Sequence, residues 1–187
     1  MPSIFLSPHN DDETLFGAYT LMREKPTVFI VTDAHIQANR GEKGCDAITR
    51  WEESKKACEI LGVPVVRVGI PDFDLKAGNL KGWMINTFGG NYEKVYAPAP
   101  QGGNPHHEII SQVAKEVFGD KVVYYATYAP GQWFSPGTPD KDIEIIPTPE
   151  ERALKERAIL CYASQLALNA TRPHFEAVKG KSEWLIK

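Results

Sequence analysis

The sequence predicts an α/β protein: a doubly wound, mostly parallel sheet covered by helices on both faces, three layers in all. Two observations carry this. Short apolar runs alternate with segments of helical spacing, and each run is almost continuously apolar, as strands buried on both faces are. A third sets the scale, because 187 residues build one substantial core and are too few for two ordinary domains. A single domain over residues 1–187 is expected.

Ile4-Phe5-Leu6 opens the first strand, and Leu15, Ala18, Tyr19 and Met22 give residues 11–24 a helical period. Residues 27–32, TVFIVT, read as the second strand, and a polar loop with Gly41 and Gly44 follows over 33–46. Residues 47–61 read as a helix closed by Gly62, and 63–68 as the third strand. A less regular stretch, 69–91, holds one helix near 80–87. The fourth strand spans 94–97, a Pro/Gly-rich loop 98–105, a helix 106–118 and the fifth strand 122–127. After the long loop 128–147, Thr148-Pro149-Glu150-Glu151 is a capping box with proline at the first helical position, opening a helix that runs to about Leu168. Right-handed crossovers order the strands 3-2-1-4-5. The first and fourth strands are then neighbours at the point where the winding reverses. The loops at their C-terminal ends face each other across a crevice.

A formal charge of -3 with 24% charged residues speaks against a nucleic-acid binder that works by neutralising phosphates. No apolar run approaches the roughly 20 residues of a membrane span, and the N-terminus lacks the pattern of a signal peptide. Cys45, Cys58 and Cys161 lie far apart without a CxxC pair, which argues for reduced thiols, against a cysteine zinc site and for a cytoplasmic protein. The sequon Asn169-Ala170-Thr171 is read as chance. No GxGxxG follows the first strand, and Gly180-Lys181-Ser182 lacks the upstream glycine of a phosphate loop.

The unusual polar residues sit on the two facing loops: Ser7-Pro8-His9-Asn10-Asp11-Asp12-Glu13, and Gly102-Gly103-Asn104-Pro105-His106-His107-Glu108. Helix capping accounts for Asn10, Asp11 and Glu13 but not for His9. A metal site accounts for more. A histidine and a carboxylate three positions apart on a tight turn can meet at one point, and catalytic zinc takes three such ligands while leaving a place for water. Adjacent Asp11 and Asp12 point in different directions, so one can bind metal while the other faces the water. The third ligand comes from the other loop, as His106 or His107.

SPHNDDE resembles the PHPDDE signature of the zinc-dependent de-N-acetylases related to GlcNAc-phosphatidylinositol deacetylase, the PIG-L or LmbE-like family. Arg50-x-x-Glu53-x-x-x-Ala57 with Leu61-Gly62, then Ile70-Pro71-Asp72, Asn104-Pro105-His106-His107, and Tyr162 with Ser164-Gln165 resemble its later blocks in the right order. The resemblance implies a Rossmann-like fold, with His9, Asp12 and His107 as ligands of Zn2+ or another divalent metal. It implies Asp11 as general base, and Arg50 and Asp72 as substrate-binding residues. The substrate implied is a small N-acylated amino sugar or its conjugate, deacetylated by attack of metal-bound water. The chain departs from the family in two blocks: Asn10 replaces the signature proline, and Asn104 and His106 replace the histidine and aspartate of an HPDH block. Asn104 can still donate to an oxyanion, and His106 can deliver a proton to the leaving amine. The alternatives are amide hydrolysis of a non-sugar metabolite, or a metal-bearing binding module with reduced catalysis. The chain is shorter than many relatives it resembles, and forming a homo-oligomer is one way to complete its pocket.

Tyr128, Trp83, Trp133 and Phe134 fall near the expected mouth, where aromatic rings either stack on sugars or pack the rim. Without the resemblance, Arg50 with Glu53 reads as a solvated intrahelical ion pair. His35 and His174 are assigned to loop surface, and Asp33 to support of the site.

Overall fold

The computed structural model describes residues 2–33, 46–89, 92–138, 142–168 and 170–186. His35, Gly41, Gly44, Cys45 and Asn169 lie outside the described residues. In chain order the elements are β1 (Ile4–Ser7), α1 (Asp12–Glu24), β2 (Thr27–Thr32), α2 (Ala47–Leu61) and β3 (Val65–Ile70). Then come α3 (Ala77–Thr87), β4 (Val95–Pro98), α4 (Pro105–Phe118) and β5 (Val122–Tyr125). The C-terminal part holds β6 (Ile143–Ile145), α5 (Pro149–Ile159), α6 (Ala163–Leu166), α7 (Arg172–Val178) and β7 (Glu183–Ile186).

Among the described residues the sheet has seven strands in the order β3-β2-β1-β4-β5-β7-β6. The first five are parallel, in the predicted order, with Phe5 opposite Val28 on one side and Tyr96 on the other. β7 runs antiparallel to both β5 and β6. The sheet therefore ends in β3 on one side, where the pairing with β2 shifts register between Ile30 and Thr32, and in the three-residue β6 on the other.

Alternation along β1 divides the core. Phe5 faces Phe16, Val28, Tyr96, Tyr125 and Tyr162, while Ile4 and Leu6 face Val31, Leu80, Met84, Val95 and Ile110. Gly62 ends α2 in the left-handed region, φ 70°, as the sequence predicts. The capping box of α5 is formed as expected, but the helix stops at Ile159 instead of continuing to 168. The chain breaks there because Tyr162 turns inward, its hydroxyl bonded to Glu13 and 3.1 Å from Thr14 Oγ1. A buried ion pair ties β7 down: Lys155 Nζ lies 2.8 Å from Glu183 Oε1 and donates to Leu15 O, and Glu183 Oε2 accepts the Tyr19 N–H. Among the described residues no helix is long and apolar enough to cross a membrane.

Candidate metal centre

The turn after β1 is held from inside. The Glu13 side chain accepts the Tyr162 hydroxyl and the Asp11 N–H, and lies 2.8 Å from Ser7 Oγ, which in turn accepts the Glu13 N–H. Burial pushes the Glu13 carboxyl up to about 7, against the hydrogen bonds from Tyr162 and Ser7. The expected Asn10–Glu13 cap is absent. Glu13 points into the core, Asn10 Nδ2 donates to Ser54 Oγ at 3.2 Å, and Asp11 stands at the N-cap of α1 without a side-chain cap bond. Asp11 adopts φ 154° and ψ -26°, a sparsely populated conformation that costs about 1–3 kcal/mol and persists only where surroundings enforce it. Here the Glu13 and Arg50 side chains and the His9 carbonyl enforce it.

This turn places Asp12 between two imidazoles. Asp12 Oδ2 is 2.9 Å from His9 Nδ1 and 3.0 Å from His107 Nε2, and the His9 and His107 ring centroids are 5.4 Å apart. His9, Asp12 and His107 each offer a ligand atom, all within 4.8 Å of one another. Residues almost a hundred positions apart thus meet across the β1/β4 crevice, as the strand order requires. Of the two histidines left open by the sequence, His107 joins this group. Its Nδ1 lies 3.4 Å from Thr127 Oγ1, so the other ring nitrogen is anchored as metal-bound histidines usually are. Two imidazole nitrogens and one carboxylate are a donor set of catalytic zinc, and the residues fit a divalent cation. Electrostatics within the group follow from its composition. Burial disfavours the Asp12 carboxylate, but His107 and His9 outweigh it and hold its pKa far below the ordinary range. Burial likewise pulls His9 down, and Asp12 overrides it, leaving the imidazole raised.

Asp11 lines the same cavity as His9 and Asp12 but is not part of the ligand cluster. Its Oδ2 accepts from Arg50 Nη2 at 3.0 Å, and burial raises its pKa against the pull of Arg50. Arg50 is 1% exposed, which overturns the reading of a solvated pair with Glu53. Glu53 instead accepts from the Ser164 N–H and hydroxyl, both at 2.7 Å. Arg50 also donates to the Asn10 carbonyl, while its Nε and Nη1 have no partner among the described residues. Asp72 lies in the short 3-10 turn Asp72–Asp74 after β3, buried and on the cavity wall.

The second loop begins with a close approach. A Cβ on Gly103 would stand 2.0 Å from the Tyr128 carbonyl oxygen, so only glycine lets the loop lie against that segment. Asn104 then caps α4, its Oδ1 accepting the His106 N–H at 2.8 Å, and its Nδ2 donates to the Tyr128 hydroxyl at 3.2 Å. The His106 imidazole faces His9, with Nδ1 2.9 Å from His9 Nε2, and burial lowers its pKa.

His9, Asp11, Asp12, Arg50, Asn104 and His106 line a cavity of about 380 Å³ at the C-terminal ends of β1 and β4, with His107 buried behind it. Through Tyr128, among the aromatic candidates, and Gln165, in the block that resembles the family's C-terminal helix, the sequence pointed to part of the cavity's remaining wall. His174 belongs to it, not to the loop surface: it packs edge-on against Trp133 and Tyr128, and burial lowers its pKa. Gln165, Thr171 and Phe175 complete that side. Among the four aromatic candidates Tyr128 lines the cavity, whereas Trp83 packs on Phe29 and Phe88 in the core and Phe134 on Phe16. Trp133, half exposed, packs against His174 and is not itself on the cavity lining. Asp33 follows β2, its N–H on the Ile70 carbonyl.

An α/β sheet with imidazoles and carboxylates gathered where its winding reverses has ligands that could hold a cation, placed beside a pocket of small-molecule size. The family model of GlcNAc-PI de-N-acetylase matches residues 4–118, and the chain belongs to this family. No curated protein sequence matches the chain. Several solved structures share the fold. A deacetylase of the teicoplanin biosynthetic pathway, a triple mutant, is 19% identical with a TM-score of 0.70, covering 100% of this chain and 98% of its own. The N,N'-diacetylchitobiose deacetylase of Pyrococcus horikoshii is 17% identical with a TM-score of 0.64, over 94% and 74% of the two chains. GalB, the 4-carboxy-2-hydroxymuconate hydratase of Pseudomonas putida KT2440, is 14% identical with a TM-score of 0.67, over 100% and 95%.

Proposed function

We propose that the protein is a metal-dependent de-N-acetylase that hydrolyses the amide of an N-acetylated amino sugar or its conjugate. The observation that carries this is the pairing of two differently placed carboxylates. Asp12 is enclosed by His9 and His107, while its neighbour Asp11 is turned into the cavity and held by Arg50. A divalent cation such as Zn2+, held by His9, Asp12 and His107, would supply Lewis acidity toward the amide carbonyl and toward water.

The chain's own groups supply the rest. Asp11 takes a proton from water as the oxygen adds to the amide carbon, and returns it to the nitrogen as the C–N bond breaks, releasing acetate and the amine. Its raised pKa suits both halves of that exchange. Asn104 and the Tyr128 hydroxyl, joined by their own hydrogen bond, are two neutral donors for the developing oxyanion. His106 stands at the same wall as a second proton carrier for the amine. Arg50 and Asp72, both on the cavity wall, are the polar groups that would hold the sugar or its substituent. Membership of the family and the deacetylases among the structural relatives support the amide chemistry. The reading takes 1–187 as one catalytic domain acting in the cytoplasm on a small molecule, with no nucleic-acid partner.

The test is amine release from a panel of N-acetylglucosamine derivatives and non-sugar acetamides, before and after chelation. Asp11→Asn should keep its metal and lose about 10²–10⁴-fold in kcat. Wild-type turnover by the metal-loaded variant removes Asp11 as the base. The hydratase relative makes addition of water without loss of amine the second reading. Metal-loaded protein that releases no amine from the whole panel favours it, or a binding module, over deacetylation.

A further inference from the structure

The structure places a second set of ligands back to back with the first. His9, Asp72 and His106 each offer a ligand atom, and these atoms also lie within 4.8 Å of one another. His9 belongs to both sets. Its Nδ1 is directed at Asp12, and its Nε2 is 2.9 Å from His106 Nδ1. The N···N edge around a four-coordinate zinc with ordinary Zn–N lengths is roughly 3.3 Å, so the two imidazoles need to part by only a few tenths of an ångström to admit an ion. His106 and Asp72 take no part in the first set, and they come from different elements, the first turn of α4 and the turn after β3. All three residues line the cavity, so an ion arriving from solvent reaches them directly and keeps room for water.

We propose that this crevice binds a second divalent cation, of the zinc type, through His9 Nε2, His106 Nδ1 and the Asp72 carboxylate. Two imidazoles and one carboxylate select a borderline metal such as Zn2+ over Mg2+ or Ca2+, which prefer all-oxygen sites. The second ion binds more weakly than the first. A neutral imidazole carries one lone pair, so once Nδ1 holds an ion, the second must displace the proton on Nε2. It also lies in the cavity beside Asp11, where the amide would be seated. Filling it therefore inhibits, and this last consequence rests on the deacetylase reading, whereas the binding does not.

Equilibrium dialysis of the intact protein against increasing free Zn2+, with metal counted per chain, tests the proposal. The expected result is two equivalents, the second weaker by about tenfold or more, with amine release that rises with the first and falls with the second. Asp72→Asn and His106→Ala should each bind one equivalent, and retention of that equivalent shows the variant is folded. Saturation of the wild type at one equivalent overturns the proposal, as do two equivalents in both variants. So does the pattern of a merely orienting His106, in which the wild type binds one ion and His106→Ala holds it about 10–100-fold more weakly. A protein that binds two equivalents and never releases amine defeats the deacetylase reading and leaves this one standing. One equivalent with amine release does the reverse.

Discussion

The Tyr162 hydroxyl reaches from the C-terminal part of the chain to Glu13, and Glu13 in turn fixes the Asp11 backbone. Tyr162→Phe keeps the ring and removes the donor. Leaving a buried carboxylate one hydrogen bond short should cost about 1–3 kcal/mol in urea unfolding, and kcat should fall because Asp11 loses its brace. Unchanged stability and turnover together would show that the contact is idle. At this scale the candidate ligand cluster was legible because its members are packed into two short, dense polar loops. His9 and Asp12 stand three apart, and His106 and His107 are adjacent, so the spacing itself pointed to shared chemistry. Tyr128 was legible as one of four aromatic candidates near the mouth, but nothing in the sequence set it apart from the other three, and His174 was not legible, a lone residue that only folding brings to the cavity wall. Arg50 was legible only by resemblance, since its sequence neighbours suggested a local pair that the structure does not form.

At the scale of elements, α4 delivers Asn104, His106 and His107 together, and Gly103 sets how closely its leading loop approaches Tyr128. Gly103→Ala forces backbone away from backbone, because the added carbon meets the Tyr128 carbonyl oxygen at 2.0 Å, and a main-chain carbonyl cannot swing aside as a side chain can. A loss of about 1–3 kcal/mol is expected, accompanied by weaker metal binding because His107 moves with the loop. Native metal affinity in a folded Gly103→Ala would mean that the loop is not what places His107. The parallel strands and their order followed from apolar runs and right-handed crossovers. β6 and β7 escaped notice because Ile143-Glu144-Ile145 and Glu183-Trp184-Leu185-Ile186 lack the continuous apolar run of the strands buried on both faces, and because an antiparallel return has no crossover to predict it. The single long C-terminal helix was expected on local propensity. Burial of Tyr162 overrode it.

The molecule as a whole is closed by the Lys155–Glu183 pair, both residues at most 2% exposed, which fastens the last strand to α1 and α5. Removing one member leaves a buried charge without its partner, so Lys155→Met should cost about 3–5 kcal/mol near pH 7. The pH dependence has a definite sign. Burial raises the Glu183 pKa above its ordinary value, and Lys155 opposes that shift. An acid with a raised folded pKa favours folding below its unfolded pKa, about 4.5, and loses that contribution as pH rises through the folded value. The deficit of Lys155→Met should therefore be largest at neutral pH and shrink as pH falls toward 4.5. Thermal melts of both proteins across pH 4.5–7.5 measure it, and a deficit independent of pH contradicts the argument.

The two outer strands have a further consequence, for association between chains. An open row of backbone donors and acceptors invites a strand from another molecule, and long flat edges are where proteins aggregate. Here one border is three residues long, and the other carries exposed Arg67, with Gly69 at φ 73° beside the register shift that kinks it. Neither offers a straight template of useful length, so crowding this protein should not zip its sheets into fibres.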